Sequence, residues 1–203
     1  MNVDIANIIL DQIEDLPFID KKAGAVRIVV TKDKDGNEKS FPVDCKISLD
    51  ECKKGNRYDD LLPDDKKKSV LFFEDNGVRL IRQEGYHLYW RSSLDLVCWL
   101  NLAKLGVLDK CSYSTIAVLG IMSKIVFKPF NALNLYQYCN IRITGEESKN
   151  FNPYSKYKLD ETRLQYLLYP FDFFKLNIEV DFRTDIRCFE APPLNPPDDC
   201  LKQ

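Results

Sequence analysis

Residues 173–190 alternate apolar and polar side chains more regularly than any other stretch of the chain. The apolar positions are Phe174, Leu176, Ile178, Val180 and Phe182, and the polar positions between them are Lys175, Asn177, Glu179, Asp181 and Arg183. Because successive side chains of a strand point to opposite faces, this pattern predicts a long antiparallel strand with one buried and one solvated face. The fold must therefore supply neighbouring strands and a layer that covers the apolar face.

A second constraint lies in residues 69–106, where three short β-rich runs occupy 70–74, 78–82 and 86–91. The first two runs flank Asp75-Asn76-Gly77, and an Asn-Gly pair supplies the positive φ angles that a tight hairpin needs. Breaks that contain glycine therefore separate each run from the next. We expect a three-stranded meander here.

The end of the same block has the features of a helix. Ser92 precedes Asp95 by three residues, which is the spacing of a capping box, and Gly106 is placed to end a helix. Apolar residues recur at helical spacing between these points, at Leu94, Val97, Cys98, Leu102 and Leu105. The pattern predicts a helix over 93–105 that covers the sheet.

Periodicity elsewhere completes the predicted fold. It indicates an amphipathic helix at 4–16, a hairpin of strands 25–31 and 40–47, a helix from Ser112 or Ser114 to about Lys124, a strand at 135–144 and a short helix at 160–168. Together these elements predict one α+β domain at 1–190, with a mainly antiparallel sheet flanked by the helices at 4–16 and 93–105. Residues 49–68 are expected to form a charged surface excursion, and 191–203 an extended proline-rich tail.

The composition is that of an ordinary globular protein. The chain has 203 residues, 45% hydrophobic and 30% charged, with a net charge of −2, so it shows no basic footprint for nucleic acid or an anionic membrane. No apolar run reaches the ~18 residues that a membrane span needs. Seven cysteines without a C-x-x-C pair, and no signal-peptide pattern, predict free thiols in a reducing compartment.

Motifs for catalysis or metal binding are absent from the sequence. It contains no phosphate-binding glycine loop and no hydrolase elbow, and its one histidine, His87, falls inside a predicted strand. The aspartates at 59, 60, 64 and 65 lack the spacing of a calcium loop. We therefore expect no catalytic, cofactor or metal site. Aromatic residues near 86–90 and 166–174 could stack bases or sugars, although interior packing explains such residues more often.

The order of elements resembles that of tail-terminator and tail-completion proteins of tailed bacteriophages. The resemblance is carried by IANIILDQIEDLPFI with its Leu16-Pro17-Phe18, by the charged hairpin and the meander, by LDLVCWLNLAKL, and by the last strand FKLNIEVDFRTDI. This chain departs from that pattern in the excursion at 49–68, the extra helical region near 114–124 and the proline-rich tail. A neck or connector ring protein of a phage similar to the crAss-like group is therefore an equally good description.

The resemblance implies a tail-terminator-like fold and a structural, non-enzymatic role. Such proteins form rings at the head-to-tail junction, so the implied partners are further copies of this chain and the neck, portal or tail proteins of a phage. The implied location is the virion, after assembly in the bacterial cytoplasm, with no membrane and no sequence-specific nucleic acid as partner. A monomeric ligand- or nucleic-acid-binding module is the alternative, with an uncharacterised hydrolase behind it.

Three surfaces are candidates for contacts between subunits in such a ring. They are the charged hairpin tip at 32–39, the polar face of the last strand, and the tail, whose leucines could dock on a neighbour. The candidate contact residues are Lys32, Lys34, Lys39, Lys175, Glu179, Asp181, Arg183, Leu194 and Leu201.

Overall fold

Six strands and two helices make up the described part of the chain. The structure is a computed structural model that describes residues 2–32, 36–47, 60–106, 113–127, 139–148, 152, 154–158, 165–168 and 170–187. The elements are α1 (Asn2–Ile13), β1 (Lys21–Lys32), β2 (Glu38–Asp44), β3 (Ser69–Glu84), β4 (His87–Asn101), α2 (Tyr113–Phe127), β5 (Cys139–Ser148), a 3-10 helix (Gln165–Leu167) and β6 (Phe171–Asp185).

The strands form one sheet in the order β2-β1-β3-β4-β6-β5. Only β1 and β3 run parallel, and the other neighbouring pairs are antiparallel. The prediction of an α+β protein with a mainly antiparallel sheet is thus confirmed. The predicted β1–β2 hairpin is also confirmed, although residues 33–35 of its tip, which include Lys34, lie outside the described residues.

The predicted three-stranded meander is wrong, because β3 continues through Asp75-Asn76-Gly77 as one long strand. Asp75 pairs with Leu94 and Val78 pairs with Ser92, so the extra residues form a bulge in the ladder rather than a turn. Gly77 has a φ of 99°, which suits a bulge as well as a turn. The chain reverses at Gly85 instead, between β3 and β4.

The predicted helix over 93–105 is also wrong, because these residues belong to β4 as far as Asn101. Both faces of this part of β4 are buried: Leu94, Leu96, Cys98 and Leu100 lie in one core and Val97 and Trp99 in the other. A strand buried on both faces is apolar throughout, so helical spacing can be found in it by chance. Ser92 caps no helix, since its hydroxyl donates to Oδ1 of Asn2 over 2.7 Å.

The sheet separates two hydrophobic cores. Both helices pack on one face, where α1 buries Ile5, Ile9 and Ile13 and α2 buries Val118, Ile121 and Ile125. On the opposite face, residues from two loops cover the sheet: Leu61, Leu62, Tyr154 and Tyr157 pack with Phe72, Val97 and Trp99. The prediction that 49–68 is only a surface excursion is wrong at Leu61 and Leu62, which are buried; residues 48–59 lie outside the described residues.

The remaining expectations have mixed outcomes. The helix predicted at 4–16 is confirmed as α1, which ends at Ile13, and the one predicted to end near Lys124 is confirmed as α2. Of the strand predicted at 135–144, the described part is β5 from Cys139, and 135–138 lie outside the described residues. Of the helix predicted at 160–168, the described part has a 3-10 helix at Gln165–Leu167, and 160–164 lie outside. The tail with Leu194 and Leu201 also lies outside the described residues.

Cys45 and Cys98 are free thiols, and neither described helix is long and apolar enough to cross a membrane.

The assignment of β4 to a two-sided core predicts a large cost for a charge at Val97, which is fully buried. We expect Val97→Asp to lower the free energy of unfolding by about 3–5 kcal/mol, because it buries a carboxylate that has no partner. The matched control is Ile28→Asp in β1, where the side chain is 53% exposed, and it should change stability by less than about 0.5 kcal/mol. Urea unfolding measures both, and equal stabilities of the two variants would contradict the assignment.

Candidate functional site

Polar and charged side chains collect on the sheet face opposite the helices, which we name the open face. It carries the odd-numbered side chains of β4 and β6, because side chains alternate along a strand. At one end Trp99 and Val97 lie under the loop residues of the second core. From Asp95 onward, charged residues replace the apolar ones. The open face therefore passes from a covered aromatic end to a charged end.

Two buried carboxylates mark the boundary between these ends. Glu74 and Asp95 are directly opposite in the β3–β4 register, and each side chain has a lysine partner. Nζ of Lys175 lies 2.9 Å from Oδ2 of Asp95, and Nζ of Lys156 lies 2.5 Å from Oε2 of Glu74. Tyr157 donates its hydroxyl to Oε1 of Glu74 over 3.0 Å, and burial beside Glu74 raises the pKa of this tyrosine. The cluster ties the loop at 154–158 to the sheet.

Hydrogen bonds keep the central pair of this cluster ionised. Burial acts to raise the pKa of Asp95, but hydrogen bonds with Lys175, Asn76 and Asn177 outweigh it and hold the pKa below its ordinary value. Burial also acts to lower the pKa of Lys175, and the bond to Asp95 with its negative charge raises it above the ordinary value. Both side chains are over 90% buried, so each depends on the other for its charge.

The Asp95–Lys175 pair predicts a pH-dependent stability. Asp95→Asn should cost about 3–5 kcal/mol at pH 7, because it leaves the lysine charge buried without its partner. A carboxyl whose pKa is lowered by folding stabilises the fold above its unfolded pKa, near 3.8, and loses that contribution as the pH falls through the folded pKa. The difference between wild type and variant should therefore shrink below about pH 4. Lys175 behaves in the opposite sense and loses its contribution above about pH 10.5.

Urea unfolding between pH 3 and pH 7 measures this effect. Glu147→Gln is the matched control, since its carboxylate lies 3.7 Å from the same lysine nitrogen but is partly exposed, and it should cost less than about 1 kcal/mol. A penalty for Asp95→Asn that is the same at pH 3 and pH 7 would contradict the role of this ion pair.

Next along the open face, an ion-pair ladder crosses β4, β6 and β5. Arg91 binds Asp181 through two hydrogen bonds, from Nε over 2.6 Å and from a terminal nitrogen over 3.0 Å. Arg142 reaches the same carboxylate over 2.8 Å and Glu179 over 3.2 Å. The bond with Asp181 raises the pKa of Arg91. This ladder neutralises both carboxylates and holds three strands in register.

Beyond the ladder the open face becomes concave. A concavity of about 490 Å³ lies between β3, β4 and β6, lined by Ile81, Arg82, Tyr89, Trp90, Arg91, Asp181, Phe182 and Arg183. The guanidinium carbon of Arg82 lies 4.2 Å from the centre of the Tyr89 ring, and its Nε lies 3.2 Å from Glu84. Tyr89 pairs with Arg82 on one side and with Arg183 on the other. Cross-strand register thus places an arginine on each side of an aromatic ring.

His87 and the cysteines do not form a nucleophilic site in the described part of the chain. Nδ1 of His87 lies 3.9 Å from Asp185, whose carboxylate is bound by Arg187 over 2.6 Å. That bond lowers the pKa of Asp185 to about 2. Cys98 lies in the helix-side core, where burial raises the pKa of its thiol. Among the described residues there is also no group of three histidine, cysteine or acidic side chains that could hold a metal ion.

The structure places the predicted contact residues in different surroundings. Lys32 ends β1, and Lys39 lies opposite Thr31 in β2. Glu179 and Asp181 belong to the ladder, and Arg183 lines the concavity. The expectation that the polar face of the last strand is solvated throughout is wrong at Lys175, which is buried with its Nζ between Asp95 and Glu147. Residues Lys34, Leu194 and Leu201 lie outside the described residues.

No local sequence pattern joins Arg82, Tyr89 and Arg91 into one site. The local signals that point to this face are the aromatic residues near 86–90, which include Tyr89, and the charged Asp95 within an apolar run. A charge in such a run must be paired if the run is buried. The partners come from β6 and β3, so their identity depends on register rather than on local spacing.

Exposed apolar side chains also lie at the far end of the β3–β4 hairpin, and one of them, Ile81, lines the concavity. Val78, Leu80, Ile81 and Tyr86 are all exposed there, with Leu80 at 49%. Strand β1 pairs with β3 only as far as Val26 and Glu74, so the described register leaves the outer edge of β3 open from Asp75 onward. The end of the hairpin therefore combines apolar side chains with an open backbone edge.

No protein-family model matches the chain, and no curated protein sequence matches it significantly. What the protein does has to be inferred from its own geometry.

Proposed function

We propose that this protein is a non-enzymatic structural subunit that forms a closed ring at the head–tail junction of a tailed bacteriophage, as a tail terminator or a neck ring. Its partners would be further copies of itself and the neck, portal or tail proteins of the phage. Its location would be the virion, after assembly in the bacterial cytoplasm. The proposal includes a tail-terminator-like arrangement of the α+β fold.

The observation that carries this proposal is the exposed end of the β3–β4 hairpin. An open strand edge offers unpaired N–H and C=O groups, and natural proteins protect such edges with charge, bulges or a neighbouring chain. Here the bulge at 76–77 lies at the start of the open edge, and apolar residues Val78, Leu80 and Ile81 follow it. A neighbouring subunit that paired with this edge would satisfy the backbone and bury these side chains.

A ring requires the open edge of β3 to meet an unlike surface of the neighbour, whereas contact with its own copy would give a two-fold dimer. Strand β2 at one sheet edge is partly covered, since Ser40 exchanges hydrogen bonds with Lys158. The open part of β3 belongs to a strand that is central in the sheet order, and in the ring it would contact a different surface of the neighbour. Contacts between unlike surfaces generate rings when the rotation closes. The ion-pair ladder supports a structural role too, because its described charges bind one another.

Oligomeric mass tests this proposal. We expect the full chain to form one closed oligomer of defined copy number, alone or with the particle proteins encoded by neighbouring genes, as measured by native mass spectrometry. Leu80→Glu should abolish the oligomer because it places a charge in the apolar contact. The matched control is Leu119→Glu on α2, where the side chain is 60% exposed, and it should leave the ring intact.

Two results would overturn the ring. One is a wild-type monomer both alone and with those particle proteins, and the other is an unchanged oligomer in Leu80→Glu. Thermal unfolding of both variants provides the control for folding, since each replaces an exposed side chain and should leave the melting temperature within a few degrees of wild type.

The alternative is a monomeric ligand- or nucleic-acid-binding module, and the concavity at Tyr89 favours it. Ligand sites are concave, and about 490 Å³ falls within the usual size of a small-molecule site. A binding module needs no closed ring, so the oligomeric mass also distinguishes these two functions.

A further inference from the structure

We infer that the concavity between β3, β4 and β6 is a binding site for a phosphate monoester of about nucleotide size. Three observations support it: the charge of the lining, the stacked position of Arg82, and the mixed polar and apolar walls. The inference does not depend on ring formation, because the concavity is built from strands of one subunit.

The lining has an excess of positive charge in a protein whose net charge is negative. Its charged side chains are three arginines, Arg82, Arg91 and Arg183, and one carboxylate, Asp181. Asp181 is already bound by Arg91 and, from outside the lining, by Arg142, so it offers little repulsion to an anion. The lining residues alone carry a net charge of +2, and Glu84 and Glu179 lie within 3.5 Å of Arg82 and Arg91 from outside the lining. A phosphate monoester carries about −1.5 to −2 at pH 7 and would compete with these carboxylates for the guanidinium groups.

Arg82 is held in a position suited to an anion. Its guanidinium lies over the ring of Tyr89, 4.2 Å from the centroid, which restricts its orientation. A guanidinium that is ordered before binding loses less entropy when it forms two parallel hydrogen bonds to a phosphate. Its ion pair with Glu84 uses Nε and is more than half exposed, so the pair contributes little and is easily exchanged for a ligand.

The remaining walls suit an organic group rather than a bare ion. Ile81 provides an exposed apolar side chain, and Tyr89 provides aromatic surface. Phe182 is in the helix-side core, so it contributes backbone to the floor. A volume of about 490 Å³ far exceeds what one phosphate fills and leaves room for a sugar or a base. These features select a phosphate ester over inorganic phosphate.

Calorimetric titration of the full chain tests this inference with three probes: AMP, adenosine and inorganic phosphate. We expect AMP to bind saturably, adenosine not to bind, and inorganic phosphate to bind more weakly than AMP. Arg82→Gln and Arg183→Gln should each weaken AMP at least about tenfold, because each removes a charge-assisted hydrogen bond. The matched control is Arg79→Gln, which is exposed on the same strand as Arg82 but lies outside the lining, and it should retain wild-type affinity.

Three results would overturn the site. They are the absence of saturable AMP binding, equal binding of adenosine and AMP, and equal loss of AMP affinity in Arg79→Gln and Arg82→Gln.

A single-stranded oligonucleotide separates a discrete site from a surface that attracts any nucleic acid. One contrary outcome is that the oligonucleotide binds far more tightly than AMP, with its affinity lowered equally by Arg79→Gln and Arg82→Gln. In that case the face binds a phosphodiester backbone, and the proposal of a phosphate-monoester site is contradicted. The melting temperatures of the variants establish that they are folded.

Discussion

The burial of β4 on both of its faces is the constraint on which the rest of the structure depends. A strand with Leu96 and Cys98 on one side and Val97 and Trp99 on the other requires a covering layer on each side of the sheet. The helices supply one layer, and loop residues near 61 and 154–157 supply the other. Toward His87 the side chains of β4 become only partly buried. The surfaces available for partners therefore lie at that end of the strand.

The Asp95–Lys175 pair lies where the covered part of the open face ends. Burying two charges costs desolvation free energy, and hydrogen bonds from Asn177 and Asn76 offset part of that cost. The pair also fixes β4 against β6, since only the native register brings Asp95 beside Asn177. The same register aligns Arg91 with Asp181 and Tyr89 with Arg183. One buried ion pair thus contributes to the geometry of the whole charged end of the sheet.

Burial on one face of a strand leaves a period of two in the sequence, and burial on both faces removes it. The strand predicted at 173–190 is confirmed as β6, which ends at Asp185, because Phe174 to Phe182 alternate between a core and a polar face. The sequence predicts a helix at 93–105, where the structure has β4 as far as Asn101, because burial on both faces removes that period. Asp75-Asn76-Gly77 predicts a turn although it forms a bulge, because both use the same positive φ at glycine. The concavity could not be predicted, since its residues meet only through the β3–β4–β6 register.

The two proposed surfaces of the β3–β4 hairpin are on opposite sides of the sheet. Leu80 pairs with Trp90, which packs toward the helix-side core, whereas Arg82 pairs with Tyr89 on the open face. The irregularity between Leu80 and Arg82 places Ile81 between these two pairs, so Ile81 is the residue closest to both surfaces. A neighbour that buried Ile81 together with Leu80 would cover one wall of the concavity while the arginines on the open face stayed outside the contact. Ligand binding and association would therefore be coupled at Ile81, and each would lower the affinity of the other if the ligand needs that wall.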